Sequence, residues 1–192
     1  MEWSDGKCRC RWANPKNERY IRYHDKEWGQ PVHEDGKLFE MLILESFQAG
    51  LSWECVLNKW EAFRQAFDQF AIEKIVAYDE KKEEELKVNP QIIRNRLKIH
   101  AAVVNAQIFR EIQEEWESFD SYLWHWTDGQ TIYEIGETRS ELSDQISKDL
   151  KKRGMKFVGT TIIYSYLQAV GVIYSHEKGC FLEKQENHGE KS

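Results

Sequence analysis

Three groups of residues in this chain have the types and spacing to do chemistry. The first is built on Glu45, which ends the apolar run LFEMLILE at residues 38–45. A buried carboxylate without a partner is costly, so it either finds a donor in the protein or is kept for a ligand. Trp53 follows eight residues later, past a tight turn at Gly50 and Leu51. One carboxylate and one large aromatic face suit a flat ligand that is cationic or donates hydrogen bonds. The competing reading of Glu45 is a helix-end glutamate facing solvent.

The second group is Cys10, His24, His176 and Cys180. His176 and Cys180 form H-x3-C, a spacing that puts both on one face if the stretch is helical. Cys10 and His24 lie near the other end of the chain. Two thiols and two imidazoles make a closed tetrahedral zinc site of the structural kind. The spacing matches no zinc-finger pattern, so a buried histidine and inert thiols remain the alternative. Cys8 competes with Cys10, since both sit in KCRCRW. His33, His100, His125 and His188 have no neighbouring thiol and read as ordinary.

The third group is basic. Lys151, Lys152, Arg153 and Lys156 fall within six residues, just before Val158, Gly159 and Thr160. A glycine before a helix start lets backbone approach a phosphate, and the first amides of that helix are unpaired, with the positive dipole end behind them. Four cations beside such a terminus suit non-specific binding to a duplex backbone. Solvated lysines around an ordinary turn are the bland alternative.

The elements that must position these groups are helical. Around Leu42, apolar residues occupy all sides of the wheel, so the helix carrying Glu45 is expected to be buried all round, with Gly50 in its C-terminal cap. Ser52 is a plausible N-cap for a helix over residues 54–67. Short helices are expected over 72–78 and 80–87, with Asp79 capping the second. Asn89 and Pro90 break the chain. A long amphipathic helix is expected over 91–116, a short one over 118–126, and a loop over 127–138. A helix starting at Ser140 or Ser143 ends at Gly154. The turn GMKFVG leads into a helix over 160–170, capped by Gly171. Residues 1–36 look irregular, and the polar stretch 183–192 is expected to be disordered. No run of alternating strands occurs, so the chain reads as all-α.

With 192 residues, the chain can build one domain or two small lobes around a core. Eight tryptophans supply flat apolar surface for packing or stacking. A net charge of −6 argues against coating nucleic acid by bulk charge, though not against a local basic face. There is no apolar run of membrane-spanning length and no signal-peptide pattern, so a soluble cytoplasmic protein is expected. Four cysteines are too few for a disulfide scaffold. No large apolar stripe is left over, which suggests a monomer.

Six ordered motifs carry a resemblance. They are RCRW at 9–12, YHDKEWG at 23–29, LFEMLILESFQAGLSW at 38–53, IIRNRLKI at 92–99, LKKRGMKFVGTT at 150–161 and HEKGC at 176–180. Over residues 8–182 the chain resembles the 3-methyladenine DNA glycosylase I family, the bacterial Tag-type enzymes of the helix-hairpin-helix glycosylase superfamily. The resemblance implies an all-α, two-lobed fold, one catalytic domain over residues 1–182, with a base pocket between the lobes. It implies structural Zn2+ on Cys10, His24, His176 and Cys180, joining the N- and C-terminal segments. It places base recognition and catalysis on Glu45, and an aromatic wall on Trp53, Tyr23, Tyr20 and Trp12. Gly50 and Leu51 match the turn that approaches the gap left by a flipped nucleotide. The hairpin with Lys151, Lys152, Lys156, Gly159 and Thr160 matches the element that binds the DNA backbone.

The implied reaction is hydrolysis of the N-glycosidic bond of 3-methyladenine in alkylated double-stranded DNA, by a monofunctional enzyme. The chain departs from the superfamily in one respect. GVIYSH at 171–176 holds no carboxylate where the usual catalytic Asp would stand. Poor activity on neutral lesions is therefore expected. The rivals are a non-catalytic helix-hairpin-helix DNA-binding module, which needs no enclosed Glu45, and a purine-binding protein, which needs no basic hairpin.

Overall fold

The structure is a computed structural model and describes residues 5–184. Its centre is helix α2, Asp35–Gln48, in which every residue from 38 to 47 is buried. That is the outcome expected of a helix apolar on all sides. Around it stand α1 (Glu18–Lys26), α3 (Trp53–Leu57), α4 (Trp60–Ala66), α7 (Arg96–Trp116), α8 (Phe119–Trp124), α9 (Glu141–Arg153) and α10 (Thr160–Ala169). Helices α5 (Ile72–Val76) and α6 (Glu80–Val88) pack on α7. Aromatic rings fill the gaps: Phe39 meets Phe109 edge-on at 5.1 Å, and Phe109 stacks on Phe119 at 3.9 Å. No described helix is long and apolar enough to cross a membrane.

Four expectations need correction. Residues 1–36 are not irregular throughout, because α1 runs through them. Asn17 caps it by accepting from the amides of Arg19 and Tyr20. Its sequence, ERYIRYHDK, buries only Tyr20, Tyr23 and His24, too little apolar signal to read. The single helix expected over 54–67 is two helices. Arg19 of α1 takes the carbonyls of Leu57 and Asn58, which ends α3 there. The long helix α7 starts at Arg96, because Asn95 caps it by accepting from the Lys98 amide. The loop at 127–138 contains a two-residue strand, β1 (Ile132–Tyr133), paired in parallel with β2 (Ile173–Tyr174).

Other expectations hold. Ser52 and Asp79 cap α3 and α6. Of the two candidate starts for α9, Ser140 is the cap, and Ser143 returns the hydrogen bond to it. Gly154 ends α9 at φ 107°, a conformation suited to glycine. Glu183 is not free, since its carboxylate accepts from the Gly179 amide. Lys184 lies over the Tyr174 ring. The rest of the expected tail lies outside the described residues.

Candidate active site and metal centre

A cleft of about 390 Å³ opens between α1, the C-terminal end of α2, α3 and α10. Glu45, Trp53, Tyr23, Tyr20 and Trp12 all line it, so the five residues predicted to share a pocket do share one. They come from three stretches of chain. Burial of α2 carries Glu45 inward, the Ser52 cap sets Trp53 at the start of α3, and α1 presents Tyr20 and Tyr23. The rings of Tyr23 and Trp53 lie 5.2 Å apart, and Trp12 and Tyr20 lie 5.5 Å apart. The rings are tilted by 43° and 48° and pack against each other, so they form an aromatic side to the cleft.

Glu45 is 3% exposed. Its Oε2 and the Nε1 of Trp53 are buried polar atoms with no hydrogen-bond partner in the protein. Burial alone pushes the Glu45 carboxyl up to about 8. Tyr23 is held well above its ordinary value by burial and then by the Glu45 charge, so it remains a neutral phenol. An open cleft with aromatic walls on one side and an orphan carboxylate at its floor suits a flat ligand that brings its own donors or positive charge.

Sequence reasoning missed some lining residues, notably Trp28, Gln48, Ser165 and Gln168. Trp28 falls within YHDKEWG, and its neighbours show its task. It meets Trp12 edge-on at 4.8 Å on one side and His176 at 4.8 Å on the other. It thereby joins the slot to the second predicted site.

That second site is a buried cluster of Cys10, His24, His176 and Cys180, whose ligand atoms all lie within 4.8 Å of one another. Cys10 Sγ is 3.5 Å from His176 Nδ1, and Cys180 Sγ is 3.6 Å from both His24 Nε2 and His176 Nδ1. Cys8 is exposed and outside the cluster, which decides between the two thiols. His24 Nδ1 is fixed by Asp25, 2.8 Å away, and Arg9 grips Asp25 by two bonds of 2.7 and 2.8 Å. Such a carboxylate behind the imidazole orients it for ligation. Burial lowers both imidazoles, His176 to about 4, so both are neutral and able to ligate. Burial raises the Cys10 thiol to about 12 in the absence of an ion. A bound cation would restore the thiolate, so the donor set fits a metal.

The basic elements sit apart from both. Lys151, Lys152 and Lys156 are exposed around the turn at 154–159. Arg153 is not available to a ligand, because Asp149 and Glu115 pair with it at 2.7 and 2.6 Å. Gly159 has ordinary φ, and a Cβ there would meet nothing within 4 Å, so the N-terminus of α10 is open. The Thr160 hydroxyl donates to Asp144, so a carboxylate stands beside this helix start, where no side chain caps the first amides. Just past α2, Gly50 takes φ 76°, and Leu51 is 42% exposed next to it.

A cleft walled partly by aromatic rings, with an orphan carboxylate at its floor and a buried thiol–imidazole cluster beside it, defines a mostly helical protein with a ligand-binding cleft and a candidate metal centre. Comparison narrows the class. The methyladenine glycosylase family model matches residues 12–183. The chain is 44% identical over 178 residues to DNA-3-methyladenine glycosylase 1 of Escherichia coli K12, covering 90% of this chain and 95% of the relative. It is 38% identical to the Haemophilus influenzae DNA-3-methyladenine glycosylase over a similar span. A crystal structure of a 3-methyladenine DNA glycosylase I superposes with a TM-score of 0.89 at 44% identity, covering 92% of this chain and all of that one. A variant of such an enzyme solved with 3-methyladenine superposes at 0.85 and 35% identity, over 90% of this chain and 96% of that one. The chain belongs to the methyladenine glycosylase family.

Proposed function

We propose that this protein is a monofunctional DNA-3-methyladenine glycosylase. It hydrolyses the N-glycosidic bond of 3-methyladenine in alkylated duplex DNA and leaves an abasic site. The observation that carries this reading is the orphan carboxylate of Glu45, enclosed with Tyr23 and Trp53. A DNA-binding module without catalysis has no use for such a group.

Alkylation gives the base a positive charge while it is attached to DNA, so the leaving group is already activated. The enzyme reaches it by flipping it out, at a cost of a few kcal/mol that is smallest for a poorly stacked, damaged base. Glu45 accepts hydrogen bonds from the base edge and favours its charge. Trp53 and Tyr23 stack on it, with a cation–π contribution of about 0.5–2 kcal/mol. Water adds to C1′ as the N–C1′ bond breaks, the cationic base leaves neutral with the bonding electrons, and the proton of the added water passes to solvent. Neutral lesions lack that activation and should be poor substrates.

The turn of Gly50 and Leu51 fills the gap left by the flipped nucleotide. Lys151, Lys152 and Lys156, with the amides at Gly159 and Thr160, hold phosphates across a helix-hairpin-helix formed by α9 and α10. Cys10, His24, His176 and Cys180 hold a structural zinc ion. Two thiols and two neutral imidazoles, with sulfur and nitrogen atoms 3.5 to 3.6 Å apart, are a donor set that would suit zinc. The ion supplies no reaction step; it ties both chain ends behind α1. The reading takes the protein as one catalytic domain of two helical lobes over residues 1–182, acting as a cytoplasmic monomer.

The test is release of free base from methylated duplex DNA by the wild type and by Glu45→Gln. Release of 3-methyladenine by the wild type only is the expected result. Duplex binding without release would make this a binding module.

A further inference from the structure

Two polar residues on one face of α7 hold the two elements that the proposed function sets against DNA. Lys98 is 6% exposed, and its ammonium donates to the carbonyls of Phe47 at 2.7 Å and Ala49 at 2.6 Å. These are end carbonyls of α2, where no helical donor remains and where a cation suits the dipole. Gly50 and Leu51 follow immediately. The same ammonium lies 5.9 Å from the centroid of Phe157, in the turn before α10.

Asn105 is fully buried seven residues further along α7, on the same face and about 10 Å along the axis. Its amide closes a two-bond ring with the backbone of Lys156: Nδ2 donates to the carbonyl at 3.0 Å, and Oδ1 accepts from the amide at 2.8 Å. The next residue, Phe157, has φ 55°, a left-handed conformation costly for a large side chain. Neither Lys98 nor Asn105 lines the Glu45 cleft.

We infer that Lys98 and Asn105 are positioning residues anchored on one helix, Lys98 holding the gap-filling turn and Asn105 holding the phosphate-binding hairpin. Lys98 spends its charge on protein carbonyls, so it acts on DNA through Gly50 and Leu51. Asn105 acts through the hairpin backbone. This inference rests on the reading of both elements as DNA contacts.

The test compares wild type, Lys98→Met and Asn105→Ala in three assays. These are affinity for free 3-methyladenine, affinity for an undamaged duplex across salt concentrations, and affinity for the same duplex with one abasic-site analogue. Both variants should keep the wild-type affinity for the free base, which a merely structural role would not spare. Lys98→Met should lose about tenfold of the preference for the abasic duplex while its undamaged affinity and salt slope stay unchanged. Asn105→Ala should weaken both duplexes by about tenfold, with a shallower salt slope and intact preference. Lys98→Gln, which keeps a donor, should recover part of the preference and carries the test if Lys98→Met does not fold. Identical patterns in the two variants, no change in DNA binding, or a parallel fall in base affinity would each overturn the inference. A wild type that binds the free base but ignores the abasic analogue would strike the functional reading first, and this inference with it.

Discussion

Glu40 and Glu45 lie on one helix, five residues apart, 5% and 3% exposed. The fold treats them in opposite ways. Glu40 accepts from the Trp60 indole, from two nitrogens of Arg64 and from Lys37. Burial would raise its carboxyl, but Arg64, Lys37 and Trp60 overcome that and hold it below the usual range. Glu45 has an oxygen with no partner and is raised to about 8 by burial alone. Glu40 is a satisfied structural charge, and Trp60, which it anchors, backs Tyr23 and Trp53 at 5.9 and 6.1 Å. Glu45 is left unsatisfied in the slot that those rings line. An unpaired buried group persists where a ligand completes it.

The largest expected effect is on chemistry. Glu45→Gln should lower base excision by about 100-fold or more while duplex affinity is kept. Glu40→Gln should leave most of the excision rate. Equal loss in single-turnover assays of both would break the division between them.

Stability should move the other way, and with opposite pH dependence. Glu45 has a folded value near 8, above the ordinary 4.5. A raised carboxyl contributes stability that is full below 4.5 and is lost as pH rises towards 8. The wild type therefore sits lower, by on the order of a few kcal/mol at pH 8, than it would with a neutral group there. Glu45→Gln should accordingly melt above wild type at pH 8, the gap closing towards pH 5. Glu40 is depressed, so its contribution is present above 4.5 and is lost as pH falls through its folded value. Glu40→Gln should cost about 1–3 kcal/mol at pH 7, since the cations left behind are partly solvated, and the difference should shrink in acid. Melting curves from about pH 2 to 8 would show both slopes, and parallel curves would refute the assignment.

Removing the ion sharpens the contrast from outside the slot. Cys180→Ser should lose bound zinc and lower the melting temperature, because a structural metal contributes directly to folding. Elemental analysis finding no metal in the wild type would refute the site. The smallest effect should come from the hairpin. Lys151→Ala with Lys152→Ala should leave excision at low salt nearly intact and reduce the salt slope of duplex binding by about one for each phosphate no longer neutralised.

Nothing local separates Glu40 from Glu45, since both lie within the apolar run of α2. Trp60 and Arg64 are 20 and 24 residues from Glu40, so only folding brings them to it. The same reason hid Lys98 and Asn105, whose partners lie about 50 residues away in sequence. Lys98 stands in IIRNRLKI among Arg94 and Arg96, with nothing in its sequence neighbours to mark it as buried. Helix α1 was hidden differently, by a polar sequence whose helix forms around two tyrosines and a histidine facing inward.

What the sequence by itself determined is what short-range pattern encodes. The all-round apolar run of α2, the caps at Ser52 and Asp79, and the glycines after α2 and α9 follow from propensity and periodicity. The thiols and imidazoles were legible as types, and the six ordered motifs named the family. The tertiary structure decided which glutamate is satisfied, which thiol joins the cluster, and which cations remain free. Those outcomes depend on partners distant in the chain, and burial and pairing exist only once those partners meet.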